Sequence, residues 1–185
     1  RPFHAKANDF KISNQTRTAY SDLDKIWMVI TPHNPFKKKK TLLDNNHRYQ
    51  LVLEAVEAYP KIEASTIEFN LPQPNYTSNT LAHLQEKYPQ HEFCLIMGED
   101  NLRTLHKWKN YEVILERHEI YVYPRIGEKQ AKPELLNHEH VHVIDAPVVE
   151  ISSTAIRKAI KEGKNCRPLL PNPVWVYIDQ MGFYK

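Results

Sequence analysis

The sequence is short of glycine and cysteine and has no long apolar run, and each shortage removes a class of protein. It has only 4 Gly in 185 residues, which excludes collagen-like and Gly-rich low-complexity chains. The phosphate and nucleophile loops G-x-x-x-x-G-K-[ST], G-x-G-x-x-G and G-x-S-x-G are all absent, which removes the usual P-loop, dinucleotide and hydrolase classes. The 2 Cys, Cys94 and Cys166, are too far apart for zinc or redox spacing and form no disulfide framework, which suits a reducing cytoplasm. The longest strongly apolar run, residues 26–30, is far short of the roughly 20 residues needed to cross a bilayer, and no export leader is visible. A net charge of +3 is too small to argue for nucleic acid, so neither nucleic acid nor, given the short apolar runs, membrane is an expected partner, while the charge is compatible with a small phosphorylated substrate.

What remains is ordinary soluble usage, with 41% hydrophobic and 25% charged residues, over a length that suits one domain, residues 1–185. Residues 26–30, 93–97, 120–123 and 141–144 are apolar throughout instead of alternating, as strands buried on both faces of a parallel sheet are. Between them lie apolar residues at helical spacing: Leu51, Val52, Ala55 and Val56, then Leu81, Leu84 and Tyr88. The alternation predicts an α/β fold with a Rossmann-like parallel sheet and helices on both faces. Further helices are expected over 153–162, stopped by Gly163, and from Pro173 to about Gly182. In such a sheet the loops beyond the carboxyl ends of the strands form the ligand crevice, and the loops at Thr31 and Gly98 each follow a strand directly.

The most specific segment is Ile151, Ser152, Ser153, Thr154, Ala155, Ile156, Arg157. A Ser or Thr caps a new helix whose first N–H groups can bind an anion, and Arg157, four residues after Ser153, can reach a phosphate held there. The same residues also describe an ordinary capped helix with a surface Arg. His138, His140 and His142 alternate, but without a fourth ligand in register they read as a partly exposed strand rather than a metal site.

The I-S-S-T-x-x-R segment resembles the signature of the nucleotidyltransferase superfamily, which contains mononucleotide, phosphopantetheine and cytidylyl transferases. Three more segments resemble the bacterial nicotinate mononucleotide adenylyltransferases in particular. They are Thr31-Pro32-His33-Asn34-Pro35-Phe36-Lys37 after a strand, Tyr76-Thr77-Ser78-Asn79-Thr80-Leu81, and Gly98-Glu99-Asp100 followed by Leu105 and Trp108. The four segments occur in the family's order over residues 21–185.

The resemblance implies transfer of AMP from ATP to nicotinate mononucleotide, giving deamido-NAD and pyrophosphate, with Mg²⁺ carried by the triphosphate. It places ATP at Gly98, Asp100, Ile151, Ser152, Ser153, Thr154 and Arg157, with Arg157 catalytic. It places the mononucleotide at Asn34, Lys37, Tyr76, Thr77, Trp108 and Arg125, with Trp108 stacking on the pyridine and the Tyr76–Thr77 backbone receiving the nicotinate carboxylate. Each of these residues also has a plain structural use: Trp108 as core, Tyr76 and Thr77 as a helix start, Gly98 as a turn. Residues 1–20 depart from the family, which opens on a strand running into G-x-F-x-P-x-H-x-G-H. They are polar, with Phe10 and Ile12 the clear strand-like pair. The expectation is that they do not supply the central strand, and that the native enzyme carries a glycine- and histidine-containing segment ahead of Ser21. Another adenylyltransferase, or a nucleotide-binding protein without turnover, remains open on the sequence alone.

Overall fold

The computed structural model describes residues 23–35, 43–124, 131–145 and 151–185, together with the backbone of 2–6. Among these, six parallel strands form one sheet: β1 (Pro2–Lys6), β2 (Lys25–Val29), β3 (Ile62–Ser65), β4 (Leu95–Gly98), β5 (Ile120–Tyr123) and β6 (Val141–Val143). Their spatial order is β3-β2-β1-β4-β5-β6. The chain therefore builds outward from β1 in one direction, then returns to build outward in the other. The reversal falls between β1 and β4, where such sheets open a crevice for ligands.

The middle of the sheet corrects the expectation for the amino terminus. Pro2–Lys6 is a central strand, paired along its length with β2 and through His4 and Ala5 with β4. A parallel ladder is a backbone structure, and Pro is tolerated at the first residue of a strand because its missing N–H is then least needed. Pro2, His4 and Lys6 leave no apolar run by which the sequence could announce this strand. Residues 7–22, which include Phe10 and Ile12, lie outside the described residues.

Period-two alternation divides the side chains between two cores. Ile26 and Met28 of β2, Ile96 of β4 and Tyr123 of β5 join Val52, Ala55 and Val56 of α1 (Asn45–Val56), Ile156 and Ile160 of α6 (Ser153–Lys161), and Val174 and Ile178 of α7 (Asn172–Met181). On the other face, Leu95, Met97, Ile120 and Val122 meet Leu81 and Leu84 of α2 (Thr77–Lys87), Leu102 of α3 (Glu99–Arg103), Ile114 and Leu115 of α4 (Tyr111–Arg117) and Leu135 of α5 (Pro133–Leu136). Leu81 and Leu84 are fully buried, each contributing about 1.5–3 kcal/mol relative to exposure. The protein is thus an α/β, Rossmann-like fold with helices on both faces. Among the described residues no helix is long and apolar enough to cross a membrane.

Two sequence expectations fall in place with small shifts. The helix expected over 153–162 runs from Ser153 to Lys161, and the last helix ends at Gly182, whose left-handed φ of 65° closes it. The histidine run is different, because only His142 is in β6, while His138 and His140 occupy the turn before it. His140 Nδ1 lies 2.6 Å from the Leu115 carbonyl, and His142 pairs with Glu119.

Candidate functional site

Gly98 ends β4 at the carboxyl edge beside the reversal point, and its lack of a side chain has a direct cause. A Cβ there would lie 2.5 Å from Asp100 Oδ1 and 3.2 Å from the Tyr123 ring. The Asp100 carboxylate therefore folds back over the strand end, on the first turn of α3, and any side chain at 98 would push it away. A carboxylate so placed can accept hydrogen bonds from a sugar's hydroxyls.

The loop after β2 is built around buried Thr31. Arg48 Nη1, from α1, donates to the Thr31 carbonyl at 2.7 Å and to Asn45 Oδ1 at 3.3 Å. Burial lowers the Arg48 pKa, and the nearby Tyr184 and Glu68 oppose that shift. Half-buried Tyr184 sits two residues past the end of α7's glycine cap with a φ of 64°, uncommon for a non-glycine residue. Burial raises its pKa, while Arg157 and Arg48 pull it down. Tyr184 packs against the core shared by α1 and α6, so the helices carrying Arg48 and Arg157 lie on the same face of the sheet.

The I-S-S-T segment forms the capped helix start that the sequence implies. Ser152 is the N-cap and its hydroxyl accepts from the Ala155 N–H at 3.0 Å. Ile151 is exposed, Ser153 is the first helical residue, and the exposed Arg157 donates through Nη2 to Thr154 Oγ1 at 3.2 Å. The serine cap satisfies one N–H of the first turn; the dipole and the Arg leave the end attractive to an anion.

The other helix start is unlike it. Tyr76 is the N-cap of α2 with no side-chain hydrogen bond closing the end. Thr77 is buried, and Lys109 Nζ stands 4.6 Å from the centre of the Tyr76 ring. The Ser78 hydroxyl and, across the site, the Thr31 hydroxyl are buried with no hydrogen-bond partner among the described residues. Buried polar atoms of that kind call for an explanation, and sites that receive a ligand are one. Trp108 caps the short 3-10 turn Leu105–Lys107 and packs half-buried against the second core. Asn34 lies half-buried one residue beyond His33, which is bonded to Asn75 in both directions: His33 N–H to Asn75 Oδ1 at 3.1 Å and Asn75 N–H to the His33 carbonyl at 2.9 Å.

Lys37 and Arg125 lie outside the described residues. Arg48, Tyr184, Glu68 and Asn75 belong to no motif singled out in the sequence. Glu68, between Ile67 and Phe69, carries the one sequence signal that could have drawn notice: a charged residue inside an apolar triplet.

A cytidylyltransferase-like family model matches residues 14–159. The chain is 67% identical over 166 residues to a probable nicotinate-nucleotide adenylyltransferase of Flavobacterium johnsoniae, covering 90% of this chain and 86% of the relative. It is 62% identical, over the same shares, to one of Christiangramia forsetii. Among solved structures, a Plasmodium falciparum nicotinic acid mononucleotide adenylyltransferase complexed with NaAD superposes with a TM-score of 0.79 at 16% identity, over 100% of this chain and 98% of that one. A putative nicotinate-nucleotide adenylyltransferase from Vibrio parahaemolyticus gives 0.71 at 20% identity, over 100% and 96%. At those identities the two structures speak to the fold.

Proposed function

The chain belongs to the nicotinate-nucleotide adenylyltransferases, within the cytidylyltransferase-like family, and from that premise we propose how its residues divide the work of transferring AMP from ATP to nicotinate mononucleotide. The mononucleotide's 5′-phosphate oxygen attacks the α-phosphorus of ATP. One P–O bond forms to the incoming phosphate while the bond to pyrophosphate breaks, giving deamido-NAD and pyrophosphate. The substrate supplies its own nucleophile, so catalysis rests on in-line positioning and on charge stabilisation.

In this reading ATP lies over Gly98, with the Asp100 carboxylate accepting from its ribose. Its phosphates meet the Ile151–Thr154 helix start and Arg157, which offsets charge developing on the leaving pyrophosphate. The mononucleotide is held at its phosphate end by Asn34, Lys37 and Arg125. Its pyridine ring stacks on Trp108, and its carboxylate meets the uncapped N–H groups at Tyr76 and Thr77. Mg²⁺, carried by the triphosphate, would supply further charge neutralisation at the ATP phosphates. The two cysteines are free and buried, which fits a reducing compartment such as the cytoplasm. Residues 1–185 act as one nucleotidyltransferase domain on these small-molecule substrates.

The observation that carries this division is Gly98, where the strand end is kept clear while the Asp100 carboxylate is pressed over it. Incubation of the purified protein with ATP and nicotinate mononucleotide, with chromatographic detection of deamido-NAD, tests the activity. Gly98→Val tests the division: ATP KM should rise by at least tenfold, about 1.4 kcal/mol, and an unchanged ATP KM would remove Asp100 from the ATP site.

A further inference from the structure

A buried polar chain joins the two loops assigned to opposite ends of the mononucleotide. Its anchor is Glu68, fully buried in the 3-10 turn Ile67–Asn70. The Thr80 hydroxyl, from the first full turn of α2, donates to Glu68 Oε1 at 2.7 Å and lies 3.2 Å from the Tyr76 carbonyl. The Glu68 carbonyl accepts from Asn75 Nδ2 at 3.2 Å. Asn75, itself 2% exposed, then holds both the N–H and the carbonyl of His33, 42 positions earlier in the chain. The Glu68 charge also acts on Arg48, which donates to the Thr31 carbonyl.

Burying a carboxylate costs free energy unless it is well paired, and Glu68 Oε2 has no hydrogen-bond partner among the described residues. As a stability device this is a poor arrangement, since an apolar residue would fill the space without that cost. As a spacer it is coherent. Its outer links end on backbone beside residues given a substrate role: Asn75 holds the His33 backbone, next to Asn34, and the Thr80 hydroxyl reaches the carbonyl of Tyr76.

We propose that Asn75, Glu68 and Thr80 are positioning residues that fix the distance between the Thr31–Asn34 turn and the start of α2, and thereby set affinity for the mononucleotide and not for ATP. The proposal rests on the assignment of those two loops to the phosphate and pyridine ends. A ligand bound at both ends gains from a preset span, because no binding energy is spent on bringing the loops into register. ATP, assigned to Gly98 and the α6 start, does not bridge them.

The test uses Asn75→Ala, Asn75→Asp, Thr80→Val and Thr80→Ser in the full chain, with steady-state KM for each substrate and calorimetric binding of nicotinate mononucleotide alone. Asn75→Ala removes the two side-chain bonds, to the His33 N–H and the Glu68 carbonyl, and leaves the backbone bond to the His33 carbonyl; Asn75→Asp keeps the acceptor for the His33 N–H and loses the donor to Glu68; Thr80→Val removes the hydroxyl at nearly constant shape. Mononucleotide KM and Kd should rise about tenfold in Asn75→Ala and Thr80→Val, equivalent to 1.4 kcal/mol, and less in Asn75→Asp. Thr80→Ser should restore them, and ATP KM should stay within about twofold throughout. Both constants refer to folded molecules, so a variant that folds in lower yield still reports. Lower kcat or melting temperature with unchanged mononucleotide KM and Kd would reduce the chain to a structural brace and overturn the proposal. Equal rises in both substrates' KM would do the same. A wild-type protein that neither binds nor adenylylates nicotinate mononucleotide would overturn the underlying assignment along with it.

Discussion

The two faces of the sheet handle the residues proposed to bind substrate differently. On the face of α1, α6 and α7, the groups suited to phosphate are half-buried or exposed: Arg157 is exposed at a serine-capped helix start, and Arg48 reaches the Thr31 loop from the side of α1. On the face of α2–α5, the groups suited to a ring are built into the core. Thr77 is buried, Trp108 packs against the second cluster, and the α2 start has no side-chain cap. Charge can be supplied from a surface, because a phosphate brings strong fields and tolerates solvent. A flat ring is recognised by shape and by dry hydrogen bonds, which require fixed surroundings. Removing the exposed cation Arg157 on the first face should therefore change turnover with little change in stability, whereas substitutions on the second should change affinity and stability together.

Arg157→Ala puts the largest strain on this contrast. Loss of a cation serving transition-state charge costs roughly 2–4 kcal/mol in catalysis, while an exposed helix Arg is worth about 0.5 kcal/mol of stability. Measured kcat should fall by at least thirtyfold, about 2 kcal/mol, with a melting temperature close to that of wild type. Near-normal kcat in the folded variant would return Ile151–Arg157 to a capped helix and nothing more.

Ser152→Ala sharpens the comparison between the two helix starts. It removes the acceptor for the Ala155 N–H and should cost about 1 kcal/mol in denaturant unfolding. No such cap exists to remove at Tyr76. An unfolding midpoint identical to wild type would mean that the exposed α6 start is satisfied by solvent equally well.

The smallest effect belongs to the second face and to pH. His118, after α4, has its Nδ1 2.8 Å from the Phe93 carbonyl, and burial lowers its pKa from the ordinary 6.5 although that bond opposes the shift. The folded state thus disfavours the protonated ring. The unfolded chain binds more protons as pH falls through 6.5, so the stability linked to neutral His118 is complete above that value and declines on acidification toward the lower folded pKa. Melting temperatures across this window should fall more steeply for wild type than for His118→Asn. Parallel curves would show that His118 plays no part in the acid response.

Much of the sheet was legible because burial on both faces leaves unbroken apolar runs, as in β2, β4 and β5. β3 gives no such run: Ile-Glu-Ala-Ser alternates, as an edge strand with one partner can. β1 escaped because Pro2, His4 and Lys6 break any apolar run, although its backbone pairs with both neighbours. Among the candidate site residues, Gly98, Asp100, Tyr76 and Ser152 stand in short sequence motifs. Arg48 and Asn75 act across 17 and 42 positions, and nothing local marks such partners. Glu68 sits between Ile67 and Phe69 in the sequence, but the partner that explains it, Thr80, comes to it only through the fold.

The division into a charge-supplying face and a ring-recognising face is tested most directly by the ratio of kcat/KM for nicotinate mononucleotide to that for nicotinamide mononucleotide. The two differ only in the group presented to the α2 start, where backbone N–H groups favour a carboxylate and meet a donor on the amide. The account predicts a preference for the nicotinate form of at least about tenfold, 1.4 kcal/mol. Equal kcat/KM for the two mononucleotides would contradict it.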